Sequence, residues 1–217
     1  MNVNPRKICF ISCVNNEKYE KEERKYLEHL LIPEGYEIEI CIVKDACSMT
    51  AGYNAAMKQS DAKYKVYLHQ DVFIVHREFI KDILAVFENH EVGMIGMVGA
   101  PKLPENAIMW DGPRIGKLYA NIIYESMEST IGEVNGAWES VEAIDGFLMA
   151  TQYDLPWRED LFQDWDFYDI SQSQEFIRSG YKVVVPNQKE AWCIHDDGFY
   201  NLKNYFRNRK IFKQEYR

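Results

Sequence analysis

Residues 7–98 alternate short apolar runs with amphipathic stretches, and no other feature limits the possible folds as much. Lys7 to Val14 is almost continuously apolar, the pattern of a strand covered on both faces. Glu17 to Leu31 spaces Tyr19, Tyr26, Leu27, Leu30 and Leu31 along one helical face, and Pro33 and Gly35 end it. Tyr36 to Val43 alternates through Ile38, Ile40 and Ile42 as a second strand. Ser48 to Ser60 reads as a short helix and Tyr64 to Leu68 as a third strand. Arg77 to His90 is a periodic helix and Val92 to Val98 a fourth strand. This βαβαβαβ series predicts an α/β fold with a mostly parallel sheet flanked by helices.

The second half is less regular. Gly99 to Arg114 reads as a loop, Leu118 to Tyr124 and Glu142 to Gln152 as strands, with a weakly patterned stretch between them. Ile170 to Ser179 is a helix stopped by Gly180, Tyr181 to Val185 a strand, and about Phe199 to Tyr216 a final helix. A length of 217 residues suits one domain with a real core.

Charge and cysteine content exclude some classes of function. The formal net charge of -9 repels phosphate backbones, which argues against nucleic-acid binding. The longest uncharged stretch, Ala46 to Met57, is far short of the roughly 20 residues of a spanning helix. The apolar start ends at Asn15 and Asn16 without a small-residue cleavage site, so it reads as a strand and not a signal peptide. Five cysteines without metal or CxxC spacing, and no Asn-x-Ser/Thr site, predict a reducing cytoplasm.

In an open parallel sheet, ligands bind at the carboxyl ends of the strands. Those ends carry Asn15 and Asn16, then Asp45, then His69-Gln70-Asp71. Neither GxGxxG nor GxxxxGK[ST] follows the first strand, which argues against a dinucleotide site and a P-loop. Asp71 lies between apolar triplets, where a carboxylate is costly unless partnered. It reads as a ligand for Mg2+ or Mn2+, or as an Asp that starts a turn. Asp45 is a base or ribose contact or an ordinary turn residue. Asn54 is a poor helix-interior residue, either functional or solvent-facing. His69, two residues before Asp71, would share its face if the strand continues.

Among the aromatics of Phe162 to Asp169, three carboxylates precede a helix. Asp169 reads as a base activated by burial, or as an N-cap with Gln172 as its capping-box partner; Asp164 and Asp166 are rivals for the catalytic role. His195 is either a metal partner of Asp71 or structural. The last helix carries Lys203, Arg207, Arg209, Lys210, Lys213 and Arg217 against Glu215, suited to anionic lipid headgroups or simply to solvent.

Together these segments resemble the family-2 glycosyltransferases and their relatives of GT-A fold. Asp45 to Ala56 resembles their second-strand loop and helix, and Tyr67-Leu68-His69-Gln70-Asp71-Val72 their DxD segment. Asp145-Gly146-Phe147-Leu148-Met149-Ala150 is similar to the strand on the acceptor side. Tyr168-Asp169-Ile170 with Arg178 to Val183 resembles the base-bearing helix, and His195 stands where a late metal ligand often lies.

The resemblance implies one GT-A-like domain over 1–217. Its parts are a nucleotide-binding half at 1–100, an acceptor and catalytic half at 101–198, and a basic amphipathic helix at 199–217. It implies inverting sugar transfer from a nucleoside-diphosphate donor to an acceptor hydroxyl of a saccharide or lipid-linked acceptor. Membrane contact is at most peripheral, through the final helix. Asp45, Asn54 and Asp71 would bind the nucleotide sugar, and Asp71 and His195 a Mn2+ or Mg2+ ion. Asp145 and Gly146 would line the acceptor side, and Asp169 would be the base. His69 replaces the usual first carboxylate of DxD. A domain that binds nucleotide sugar or a partner without transfer is therefore the alternative. A sugar nucleotidyltransferase is disfavoured, because no Gly-rich, Arg-containing loop follows the first strand.

Overall fold

A computed structural model of the chain describes residues 2–122, 125–196 and 202–217. Strand β1 (Asn4–Val14) leads into α1 (Glu17–Glu28), β2 (Glu37–Lys44), α2 (Met49–Gln59) and β3 (Ala62–His69). After a tight turn come β4 (Val72–Ile74), α3 (Phe79–Phe87), β5 (Val92–Gly96) and β6 (Val98–Ala100). The second half contributes β7 (Ile115–Ile122), β8 (Glu125–Gly132), β9 (Trp138–Ser140), β10 (Ala143–Ile144) and β11 (Leu148–Thr151). It ends with α4 (Tyr168–Arg178), β12 (Lys182–Pro186), β13 (Cys193–His195) and α5 (Tyr205–Tyr216).

The main sheet has the order β2-β1-β3-β11-β5-β12-β9. Strands β1, β2, β3, β5 and β12 share one direction, while β11 and β9 run against it. The sheet is therefore mostly parallel, with β11 from the second half inserted between β3 and β5. Alternate residues of β1 face opposite sides. Ile8 and Phe10 join the core that holds Phe79, Ile80 and Ile83 of α3, while Cys9 and Ile11 join the core that holds Tyr53 of α2 and Phe176 of α4. This two-sided burial explains the nearly unbroken apolar run of the first strand.

A second sheet, β10-β6-β7-β13-β4 with β8 on β7, forms the other wall. Two expected strands divide to build it. Val92 to Val98 breaks at Met97, leaving β5 in the main sheet and β6 in the second. Gly96 makes this possible, because a Cβ there would overlap the Ile144 side chain. Glu142 to Gln152 breaks at Asp145-Gly146-Phe147 into β10 and β11. The weakly patterned stretch contains β8 and β9, and the expected loop contains a 3-10 turn, Met109–Asp111. The final helix begins at Tyr205; Phe199 and Tyr200, like Tyr124 of the expected strand, lie outside the described residues. No helix among the described residues is long and apolar enough to cross a membrane.

Candidate active site

Strands β1, β2 and β3 end at one cleft of about 400 Å³, lined by Asn15, Asp45, His69, Gln70, Asp71 and Trp165 among others. A second cavity of about 410 Å³ lies between α1 and the Ile74–Arg77 segment. Its lining holds no group of three metal-binding side chains.

The turn after β3 aims three side chains differently. Gln70 turns back: its Oε1 accepts from the backbone N–H of Asn15 and of Asn16, both at 3.0 Å, and its Nε2 donates to Asn15 Oδ1 at 2.8 Å. It fixes the β1–α1 loop, a role that its place between two candidate ligands gave no means of reading. His69 and Asp71 point the other way, with Nδ1 of His69 3.9 Å from Asp71 Oδ1. His195 arrives from β13, which pairs antiparallel with β4 in the register His195 to Val72, and its Nε2 is 3.8 Å from the same oxygen. One ligand atom from each of His69, Asp71 and His195 lies within 4.8 Å of the others. No second such group of three occurs among the described residues. Two imidazoles and a carboxylate are a competent donor set for a divalent ion, so the residues fit the cation that the resemblance implies.

Asp169 is not the N-cap. Phe167, in the left-handed region at φ 66°, caps α4, and Asp169 sits in the first turn. Gln172 donates to the Leu155 carbonyl at 2.9 Å, so there is no capping box. Asp169 Oδ2 instead accepts the N–H of Gly146 at 3.0 Å, and Oδ1 that of Ile170 at 2.8 Å. Burial and then the charge of Asp145 raise its pKa to about 7, against the opposing pull of these backbone donors. Beside Gly146, the Phe147 ring stacks on His195 at 5.2 Å, and the Phe147 carbonyl accepts from the His69 N–H at 3.0 Å. One loop thus joins the raised carboxylate to the His/Asp cluster. Tyr168 adds a second link through a short hydrogen bond between its hydroxyl and His69 Nε2.

Other expected site residues are placed differently. Asp45 is exposed at the cleft in the left-handed region, at φ 56°. Asn54 is buried and is not among the residues that line the cleft. Its Nδ2 donates to the Trp157 carbonyl and Glu159 Oε2, and its Oδ1 accepts the Trp157 N–H, all at 2.9 Å. It is therefore neither solvent-facing nor on the ligand wall. Asp164 is occupied by α5, accepting from Asn204, Asn208 and Arg207. Asp166 remains half-buried, its pKa raised by burial and then by Asp164.

Solved structures share this architecture. The mannosyltransferase PcManGT from Pyrobaculum calidifontis, in complex with GDP-Man and Mn2+, matches at a TM-score of 0.60 and 12% identity, over 95% of this chain and 61% of its own. TarS of S. aureus matches at 0.58 and 13%, over 93% of this chain and 38% of its own. TarS 1-349 in complex with UDP matches at 0.56 and 12%, over 95% and 64%. The chain thus spans between 38% and 64% of these structures, and the likeness establishes a GT-A fold. No curated protein matches the chain in sequence. A family model described as glycosyltransferase-like matches residues 9–216, and the chain belongs to that family.

Proposed function

We propose that the chain is an inverting, metal-dependent glycosyltransferase acting from a nucleoside-diphosphate sugar on a hydroxyl of a saccharide or lipid-linked acceptor. The observation that carries this reading is the Asp145–Phe147 loop, which joins a carboxylate of raised pKa to the His/Asp cluster in the cleft. Similar folds are recorded with UDP, UDP-GlcNAc and GDP-Man, which supports a nucleotide-sugar donor.

Asp45, at the mouth of the cleft, contacts the nucleoside. Asp71 and His195 would hold Mn2+ or Mg2+, which when bound would supply Lewis-acid neutralisation of charge on the leaving diphosphate. Asp145 and Gly146 line the acceptor side. Asp169 accepts the proton of the acceptor hydroxyl as its oxygen bonds to the anomeric carbon and the bond from that carbon to the diphosphate oxygen breaks. Five free cysteines fit a reducing, cytoplasmic setting. Exposed Phe206 on the basic α5 offers peripheral contact with anionic lipid.

The test is donor turnover with Mn2+ over a panel of saccharide and lipid-linked acceptors. Turnover that disappears in Asp169→Asn, with donor binding retained, supports the reading. Donor binding without turnover across the panel sinks it in favour of a non-transferring domain, the alternative that His69 in place of a carboxylate motivates.

A further inference from the structure

We infer that His69 is a direct metal ligand, and that the centre is a two-imidazole, one-carboxylate site that selects Mn2+, Co2+, Fe2+ or Zn2+ over Mg2+. The inference deepens the proposed metal dependence and rests on that reading for its place in the reaction.

The geometry assigns His69 this role in three ways. Its Nδ1 faces the Asp71 oxygen that His195 Nε2 also faces, at 3.9 and 3.8 Å respectively. The two rings meet edge to face with centroids 5.6 Å apart, so both nitrogens approach one point from different directions. The remaining nitrogen of His69, Nε2, is engaged by the Tyr168 hydroxyl. The hydroxyl oxygen can accept the Nε2 proton, and in that tautomer the lone pair stands on Nδ1. Ligating histidines are characteristically oriented through the second nitrogen in this way.

The backbone around the cluster is pinned. The His69 N–H bonds the Phe147 carbonyl at 3.0 Å, and the Asp196 N–H bonds the Asp71 carbonyl at 2.9 Å. An ion about 2.1 Å from each donor asks these atoms to close by an ångström or less, a side-chain adjustment.

Ligand chemistry then determines the choice of ion. Mg2+ takes oxygen ligands in near-ideal octahedral geometry and gives up water reluctantly. Imidazole suits later first-row ions, whose affinity for nitrogen sites rises across the row. Replacing a carboxylate by His69 also removes one negative charge, which weakens the hold on a hard ion most. His69 therefore alters the centre without removing it.

The test uses the whole protein without donor. MnCl2, CoCl2, ZnCl2 and MgCl2 are titrated calorimetrically, and pulsed EPR counts the nitrogens coupled to bound Mn2+. Two imidazole nitrogens are expected in the native protein and one in His69→Gln, with Mn2+ and Co2+ bound at least about 10-fold more tightly than Mg2+. His69→Asp restores a second carboxylate and is expected to narrow the Mn2+-to-Mg2+ ratio by about 10-fold. Circular dichroism checks that both variants are folded. Equal affinity for Mn2+ and Mg2+ in the native protein overturns the inference, as does an unchanged nitrogen count in folded His69→Gln. So does the absence of metal binding both alone and with UDP or GDP. If Mn2+ binds through both imidazoles yet no sugar is transferred, the proposed activity fails and the role of His69 stands. If sugar is transferred without nitrogen coupling from His69, the reverse holds.

Discussion

At Asp169, burial and charge act in the same direction. The carboxyl is partly withdrawn from water and lies near Asp145, and three backbone N–H groups reduce the resulting rise without cancelling it, leaving the pKa at about 7. A base must be ionised to accept a proton. Turnover should therefore rise with pH through about 7 and level off above it, and Asp169→Asn should lower kcat by roughly 10²- to 10⁴-fold while donor affinity holds. Initial rates between pH 5.5 and 8.5 check this; a flat profile in that range would remove Asp169 as the base. What the sequence reveals of such residues depends on their surroundings. Asp71 was conspicuous because it interrupts an apolar run, and His195 because it follows one. Asn54 was equally conspicuous for its helix position, yet its partners are Trp157 and Glu159, more than a hundred residues away, and no local pattern reveals them. Asp164 likewise reads as catalytic until Asn204, Arg207 and Asn208 are brought against it.

Among the elements, the loop between β10 and β11 governs the site. A Cβ on Gly146 would overlap the Tyr168 hydroxyl, which is itself bonded to His69. In Gly146→Ala, Tyr168 must swing away or the loop must shift, releasing His69 in the first case and Asp169 in the second. The expected cost is about 1–3 kcal/mol in stability from overpacking, with Mn2+ affinity reduced about 10- to 100-fold. Urea denaturation and metal titration measure the two effects, and unaltered metal affinity would show that the Tyr168 bond has no such role. The C-terminal α5 depends on a different contact. Asp164 receives the side chains of Asn204, just before α5, and of Arg207 and Asn208 within it; Arg207 is exposed, so the ion pair contributes little and the two amide bonds more. Asp164→Ala should cost about 1–3 kcal/mol and expose α5 to limited proteolysis before the rest of the chain. Early cleavage elsewhere would contradict that anchoring role. The front-half elements were legible because each covers a face with its own period. The insertion of β11 and the break at Met97 were not, because they depend on pairing between segments distant in sequence, β11 with β5 and β6 with β7 and β10.

For the molecule as a whole, the pattern of raised and lowered acids sets how stability varies with pH. Glu23 is buried in α1, its Oε2 accepting from the Ser12 hydroxyl at 3.0 Å while Oε1 has no hydrogen-bond partner among the described residues. Burial lifts its pKa from 4.5 to about 8, against the pull of Ser12. Glu23 and Asp169 therefore both hold protons more tightly folded than unfolded. Their contribution is complete below the unfolded values, near 4, and is lost as pH rises through about 7 for Asp169 and about 8 for Glu23. Asp160, lowered by its hydrogen bonds from Arg158, acts in the opposite sense: its contribution is present above its unfolded value and is lost as pH falls below about 4. Stability should accordingly peak on the acid side of neutrality, near pH 5, and decline toward pH 8 with a slope of up to about 1.4 kcal/mol per pH unit for each raised group. Glu23→Gln keeps the shape and removes the ionisation, so its curve should flatten by one group's share between pH 5 and 8 and gain steadily on the native curve as pH rises. Urea midpoints at half-unit intervals give both curves. Parallel curves over that range would mean that Glu23 is ionised in the folded chain, and that this buried carboxyl draws on a partner other than Ser12.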